Sequence, residues 1–312
     1  MGEQRTVLIL LLILCFAIVS ISNNGIVNAE STIYIRTDGS VDPETTPISS
    51  VDNVTYTFTD NIYDEIVIER NDIVVDGSGY MLQGQGIGIG FYLDNINNVT
   101  IKRTVIKRFS KGIMLNSSSF NVVSENSITD NEDGVVLYWS STNNIVTGNT
   151  ITNNSYGFAS NGGIVSYENG TRFYYLSSNN TISGNNVTNN HLGVKLYLSS
   201  NNIIYHNNFI NNTQQIYDYS WDHPEFPPSI NSWDDGYPSG GNSWSDYNGG
   251  DANGDGIGDT PYIIDENNQD NFPLMNQVII PEFPTWIFLP IFLMATLFTV
   301  IIKKRVYRSK IK

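Results

Sequence analysis

The residues best placed for chemistry in this 312-residue chain are oxygen donors rather than thiols. The run Asp251-Ala252-Asn253-Gly254-Asp255-Gly256-Ile257-Gly258-Asp259 sets carboxylate or amide oxygens at places 1, 3, 5 and 9, with glycine at place 6 for the turn. That is the front of a loop that wraps calcium, a hard cation held by about six to eight oxygens. Asp251, Asn253, Asp255 and Asp259 are the expected ligands, with calcium in a structural role. Place 12 is Tyr262 rather than a bidentate Glu, so an EF-hand is not expected.

A second group points to sugars. Tyr138, Tyr175 and Tyr197 fall at one recurring place in the chain, with Arg172 and Lys195 close to them in sequence. Stacked aromatic faces flanked by cations suit a polysaccharide or surface glycan. Catalysis is less well supplied. Glu132 and Asp133 are neighbours in a turn, pointing different ways, and do not make the separated carboxylate pair that glycoside hydrolysis needs. A lyase would lean on Arg172 or Lys195. Non-catalytic binding, or a structural envelope role, is therefore the expected function, with a carbohydrate-active lyase or hydrolase as the alternative.

The elements that must position these residues come from a repeat. Registers opening at Val99, Asn121, Asn144, Asn180 and Asn202 are spaced by 22, 23, 36 and 22 residues. Two places on stand Ile101, Val123, Val146, Ile182 and Ile204; seven on stand Ile106, Ile128, Ile151, Val187 and Phe209. Thirteen on stand Gly112, Gly134, Gly157 and Gly193, before Gln215 breaks the column. Each unit offers three short stretches with β-branched residues in alternation, separated by Asn and Gly, too short for helices. One unit cannot bury its apolar residues, but stacked units can. The expected fold is all-β, a right-handed parallel β-helix (solenoid) with a C-terminal cap and one C-terminal transmembrane helix. Further Asn columns, Asn126, Asn149, Asn185 and Asn207 and then Asn131, Asn154, Asn190 and Asn212, read as left-handed turn residues whose amides bond from coil to coil. The coil opening at Asn144 carries about 13 extra residues between Ala159 and Tyr174, and such inserts on one face of a solenoid often build the binding surface.

Asn71-Asp72-Ile73-Val74-Val75-Asp76-Gly77-Ser78-Gly79, Gly112-Ile113-Met114-Leu115 and the repeated Ser-Ser-x-Asn and Asn-x-Ile-x-Asn-Asn elements resemble NosD-type right-handed β-helix proteins. The resemblance runs from about Thr32 to Met275 and implies a periplasmic or surface protein linked to copper-site maturation. Copper carriers use Cys, Met and His. Between residues 30 and 285 this chain has no Cys and only Met81, Met114 and Met275, and its three histidines occupy different columns. A copper maturation factor is thus the second alternative.

The ends fix the expected location. Residues 1–29, with an apolar run from Val7 to Ile21 and Ala29 at the exit, read as a signal peptide. The β-helix is expected over 30–218 and an acidic Trp- and Gly-rich cap over 219–276. A linker with Pro281-Glu282-Phe283 follows over 277–285, then a membrane helix over 286–302 and a basic cytoplasmic tail over 303–312. This arrangement resembles the PEF-CTERM sorting tails of archaeal surface proteins and implies a cell-surface chain anchored by its C-terminal helix. The formal charge of −15 argues against nucleic acid. Between Lys195 and Lys303 stand 13 acidic residues and no Lys or Arg, a region that calls for cations. Eight Asn-x-Ser/Thr sequons, among them Asn153 and Asn179, offer glycan acceptors on an exported chain.

Overall fold

A computed structural model describes residues 32–161, 163–168 and 171–280, with backbone only for 161–175. The expected signal peptide, the Pro-Glu-Phe motif, the membrane helix and the basic tail lie outside the described residues. Among those described, no helix is long and apolar enough to cross a membrane.

The chain winds as a right-handed parallel β-helix. Each coil contributes one strand to each of three sheets, as in Lys111–Asn116, Val122–Ser124 and Ser127–Thr129, before the next coil begins at Asp133–Tyr138. The first sheet has nine strands, the second eight and the third seven, and pairing is parallel except at the N-terminal edge. The register follows the sequence repeat: Ile106 pairs with Ile128, Ile128 with Ile151, and Ile151 with Val187. These four side chains are buried at 0–1% exposure and form one continuous dry column. A fully buried Ile or Val contributes about 1.5–3 kcal/mol, and only the neighbouring coils supply that burial.

The corners use two adjacent residues for two tasks. The left-handed backbone falls on Glu125, Gly148, Gly184 and His206, with φ of 56°, 67°, 64° and 54°. The ladder residue comes one place later, at Asn126, Asn149, Asn185 and Asn207, and points inward, fully buried. The expectation that one Asn does both is thereby corrected. The ladder geometry is dense. Asn149 Oδ1 accepts from Asn126 N at 2.9 Å and from Asn126 Nδ2 at 3.1 Å. Its own Nδ2 donates to Val123 O at 2.9 Å and to Asn185 Oδ1 at 3.0 Å. Equivalent ladders run through Asn121, Asn144, Asn180 and Asn202 and through Asn131, Asn154, Asn190 and Asn212. The glycine column has a steric cause: a Cβ on Gly134 would meet Gly157 O at 2.4 Å.

The cap extends the solenoid rather than sitting apart from it. Ser243–Trp244 pairs in parallel with Asn208–Phe209. Asn231 and Asn242 add a rung to two ladders, which end on Asn268 and Asp270. Phe209, Trp244 and Tyr262 stack at 4.6 Å and 4.2 Å, closing the third sheet with aromatic faces.

Replacing Asn149 with Ala leaves several buried backbone and amide groups unpaired, at roughly 1–3 kcal/mol each. Urea unfolding is expected to show a loss of at least ~3 kcal/mol for Asn149→Ala, against less than ~0.5 kcal/mol for exposed Ser155→Ala. Equal effects would mean the ladders carry no stability.

Candidate functional site

The first sheet presents alternating columns to solvent. Lys111, Asp133 and Tyr156 stand in one of them, each pairing with the next in register. Lys195 reaches the same place from the strand Leu192–Tyr197, where its Nζ lies 5.0 Å from the centre of the Tyr156 ring. The four side chains belong to four consecutive coils and are all half-buried. Beside them Val136 and Ala159 occupy outward-facing positions yet are 1% and 2% exposed, so the floor around Asp133 is dry.

That floor sets the electrostatics. Burial pushes the Asp133 carboxyl up to about 6, and Glu132 adds to the rise, while Lys111 and Lys195 pull against it. Glu132 itself is exposed and accepts a 2.7 Å hydrogen bond from Ser110 Oγ. Among the described residues, ion pairs occur only at Arg36–Asp42, Arg36–Glu69, Lys102–Asp76 and Arg103–Asp76. Lys111 and Lys195 thus feel Asp133 without closing on it.

The expected tyrosine stripe is partly corrected. Tyr138 and Tyr197 do share an outward column, but Asn161 stands between them in register, not Tyr175. Tyr175 lies at the base of an antiparallel hairpin, Gly163–Glu168 with Thr171–Tyr175, where it pairs with Gly163. The extra residues of that coil form this hairpin and leave the repeat, so counting back from Leu176 misplaces the slot. Arg172 is in the hairpin too, opposite Tyr167; its side chain and that of Tyr175 lie outside the described residues. Tyr138 packs on Trp139 at 5.6 Å, whereas Tyr197 meets Tyr219 and Phe226 edge-on at 5.2 Å and 5.3 Å. Lys195 stands in the neighbouring outward column, in register with Ala159, and only its ammonium group reaches toward Tyr156; the Lys111–Asp133–Tyr156 column continues to Leu192. The column itself was legible as the place twelve residues into each coil, but comparing neighbours within one turn overlooks it.

The cap loop is closed on itself. Asp251 accepts from Gly254 N at 2.7 Å and Gly256 N at 2.9 Å. Asp255 accepts from Ile257 N and Asn253 Nδ2, both at 2.9 Å, and Asp259 from Ala252 N at 2.7 Å. The Ile257 amide, first among several donors, holds the Asp255 carboxyl below its ordinary range. Five of the six carboxylate oxygens of Asp251, Asp255 and Asp259 are engaged in this way, and no group of three or more His, Cys, Asp and Glu side chains poised for a metal ion occurs among the described residues. The histidines do not converge either. His206 Nε2 is 2.9 Å from Ser239 O, and the His223 ring stacks on Tyr219 at 3.8 Å.

The family model described as "Periplasmic copper-binding protein (NosD)" matches residues 16–249, three quarters of the sequence. The chain belongs to the NosD family. Among curated proteins, no relative matches. Solved structures similar to this NosD-family chain include the periplasmic alginate epimerase AlgG, at 21% identity and a TM-score of 0.41, over 53% of this chain and 39% of that one. The Azotobacter vinelandii mannuronan C-5 epimerase AlgE6 A-module matches at 19% identity and a TM-score of 0.38, over 56% and 48%. An alginate lyase from Paenibacillus sp. str. FPU-7 matches at 16% identity and a TM-score of 0.32, over 55% and 70%. The matches span less than half the length of the two epimerase chains. At these identities the likeness is one of fold.

A carboxyl raised by burial binds its proton more tightly in the folded chain, so its contribution to stability falls as pH rises from about 4 to about 6 and then levels off. Asp133→Asn removes that loss. At pH 7.5 its Tm is expected about 2–4 °C above the parent, the effect of ~1 kcal/mol in a domain of this size after solvent screening. The gain is expected to shrink toward pH 4, and differential scanning fluorimetry across that range reads it. A variant less stable at neutral pH would show that Asp133 serves the fold.

Proposed function

We propose that this NosD-family chain is a cell-surface module that holds a polysaccharide along the outward face of its first sheet. The segment over 1–29 exports it, and the helix over 286–302 tethers it with the C-terminus in the cytoplasm. The observation that carries the reading is one continuous ladder face bearing Lys111, Asp133, Tyr156 and Lys195 in four consecutive coils, with Tyr138 at its far edge. The parallel ladder offers a long sugar chain two ammonium groups and two phenolic rings on successive coils. Copper handling, which the family description carries, would need a soft or imidazole donor set, and His191, His206 and His223 are not brought together.

Affinity electrophoresis of the full-length chain in gels cast with polysaccharides tests this. Lys195→Ala and Tyr138→Ala are each expected to weaken retention about tenfold, the equivalent of ~1.4 kcal/mol. Retention unchanged in both variants removes the first sheet as the binding face.

Calcium in the cap loop is a separate part of the reading, supported by a donor set made only of oxygens, Asp251, Asn253, Asp255 and Asp259. Millimolar calcium added to chelator-treated protein is expected to raise its Tm, because an ion bound only by the folded form stabilises it by mass action. A Tm that does not respond removes the ion.

A further inference from the structure

The charges on the first sheet are mismatched with the rest of the chain. Only nine Lys and Arg lie between the two terminal segments, against 13 acidic residues after Lys195 alone. Yet Lys111 pairs in register with Asp133, Lys195 reaches the Tyr156 ring two coils on from Lys111, and neither lysine enters an ion pair among the described residues. Two unmatched ammonium groups reward an anionic ligand and give little to a neutral one. Between them stands a half-buried carboxylate that accepts no hydrogen bond from the described residues, and next to it a phenol held under a lysine.

Those groups make up a particular chemistry. Removing the proton beside a sugar carboxylate needs a cation to offset the carboxylate charge, a base within reach, and an acid for the departing oxygen. Asp133 and Tyr156 project from the same column, one coil apart, about 4.8 Å along the axis. Base and acid therefore approach a bound sugar from the same side. Epimerisation needs them on opposite sides; elimination with both groups leaving from one face needs them on the same side.

We propose that Lys111, Asp133, Tyr156 and Lys195 form an acid–base centre that cleaves a uronate-containing polysaccharide by syn β-elimination, an inference that rests on the binding reading above. The Asp133 carboxylate takes the proton from C5. The C5–H electron pair becomes the C4=C5 double bond, the C4–O bond breaks, and the departing glycosidic oxygen takes the phenolic proton of Tyr156. Lys111 and Lys195 hold the substrate carboxylate and offset the charge that builds on it. Asp133 then gives its proton to water and Tyr156 recovers one, so no oxidant, reductant or co-reactant enters.

The test incubates the full-length protein with alginate and polygalacturonate, with dextran as a neutral control. It follows the ultraviolet absorbance of the conjugated double bond, and retention of each polymer by affinity electrophoresis. Unsaturated product is expected from alginate, whose mannuronate units carry H5 and the C4 oxygen on one face, and none from polygalacturonate, where they lie on opposite faces, or from dextran. The rate is expected to rise as Asp133 ionises, near pH 6 in the field of Lys111, Glu132, Tyr156 and Lys195. Asp133→Asn and Tyr156→Phe should lower the rate about 10²-fold or more, while the polymer is still retained. Asp133→Asn is expected to fold at least as well as the parent, so its lost rate would not reflect unfolding. Alginate retained but never cleaved overturns the acid–base centre and leaves the binding reading standing. No retention of any polymer ends both.

Discussion

The structure depends on keeping successive coils in register. A coil of about 22 residues has too few side chains to enclose a core, and its corners bring polar backbone groups inside. The buried asparagine amide resolves both problems. The Asn149 oxygen takes two N–H donors from the coil before it, and its amide nitrogen serves Val123 O, Thr147 O and the next Asn. An amide satisfied in this manner tolerates no slip, because a shift by one residue strands several buried donors at once. The apolar columns supply most of the burial energy, but Ile and Val are interchangeable along them. The amides make one register uniquely favourable.

A ladder that propagates must also be stopped, since open strand edges template further pairing. The C-terminal segment does this with the chemistry of the repeat itself. Asn242 continues a ladder, and Asp270, with acceptor oxygens and no donor, ends it by taking Asn242 N at 2.7 Å, Trp244 Nε1 at 2.8 Å and Phe272 N at 3.0 Å. Burial raises the Asp270 carboxyl to about 6 despite those donors. A neutral amide at that point would present N–H groups with nowhere to go.

The same register decides what the sequence discloses. Apolar and Asn columns repeat, so the coil, its dry interior and its ladders could be read from spacing alone. Tyr175 shows where that reading fails. Asn161 lies seventeen residues beyond Asn144, just as Tyr138 lies beyond Asn121, but the hairpin over Gly163–Tyr175 adds residues that obey no register. Counting from the far end of the insert put a tyrosine where an asparagine stands. The Lys111–Asp133–Tyr156 column failed to appear for a different reason. Outward positions have no repeated type to mark them, because solvent imposes no packing rule there. Lys, Asp and Tyr in one column look like variation until the coils are stacked.

That freedom gives Asp133 its meaning. Inward columns are dictated by volume and by amide bonding, while an outward position accepts Ile89, Lys111 or Gln214 equally well. Asp133 is the costly choice at such a position, since the dry surface of Val136 and Ala159 withholds the water a carboxylate needs. The lysines lower that cost without contact, and the surrounding ladder holds whatever residue is placed there. The fold gains neither burial nor a hydrogen bond from this carboxylate, so its presence is better explained by a ligand that meets the face than by the solenoid that carries it.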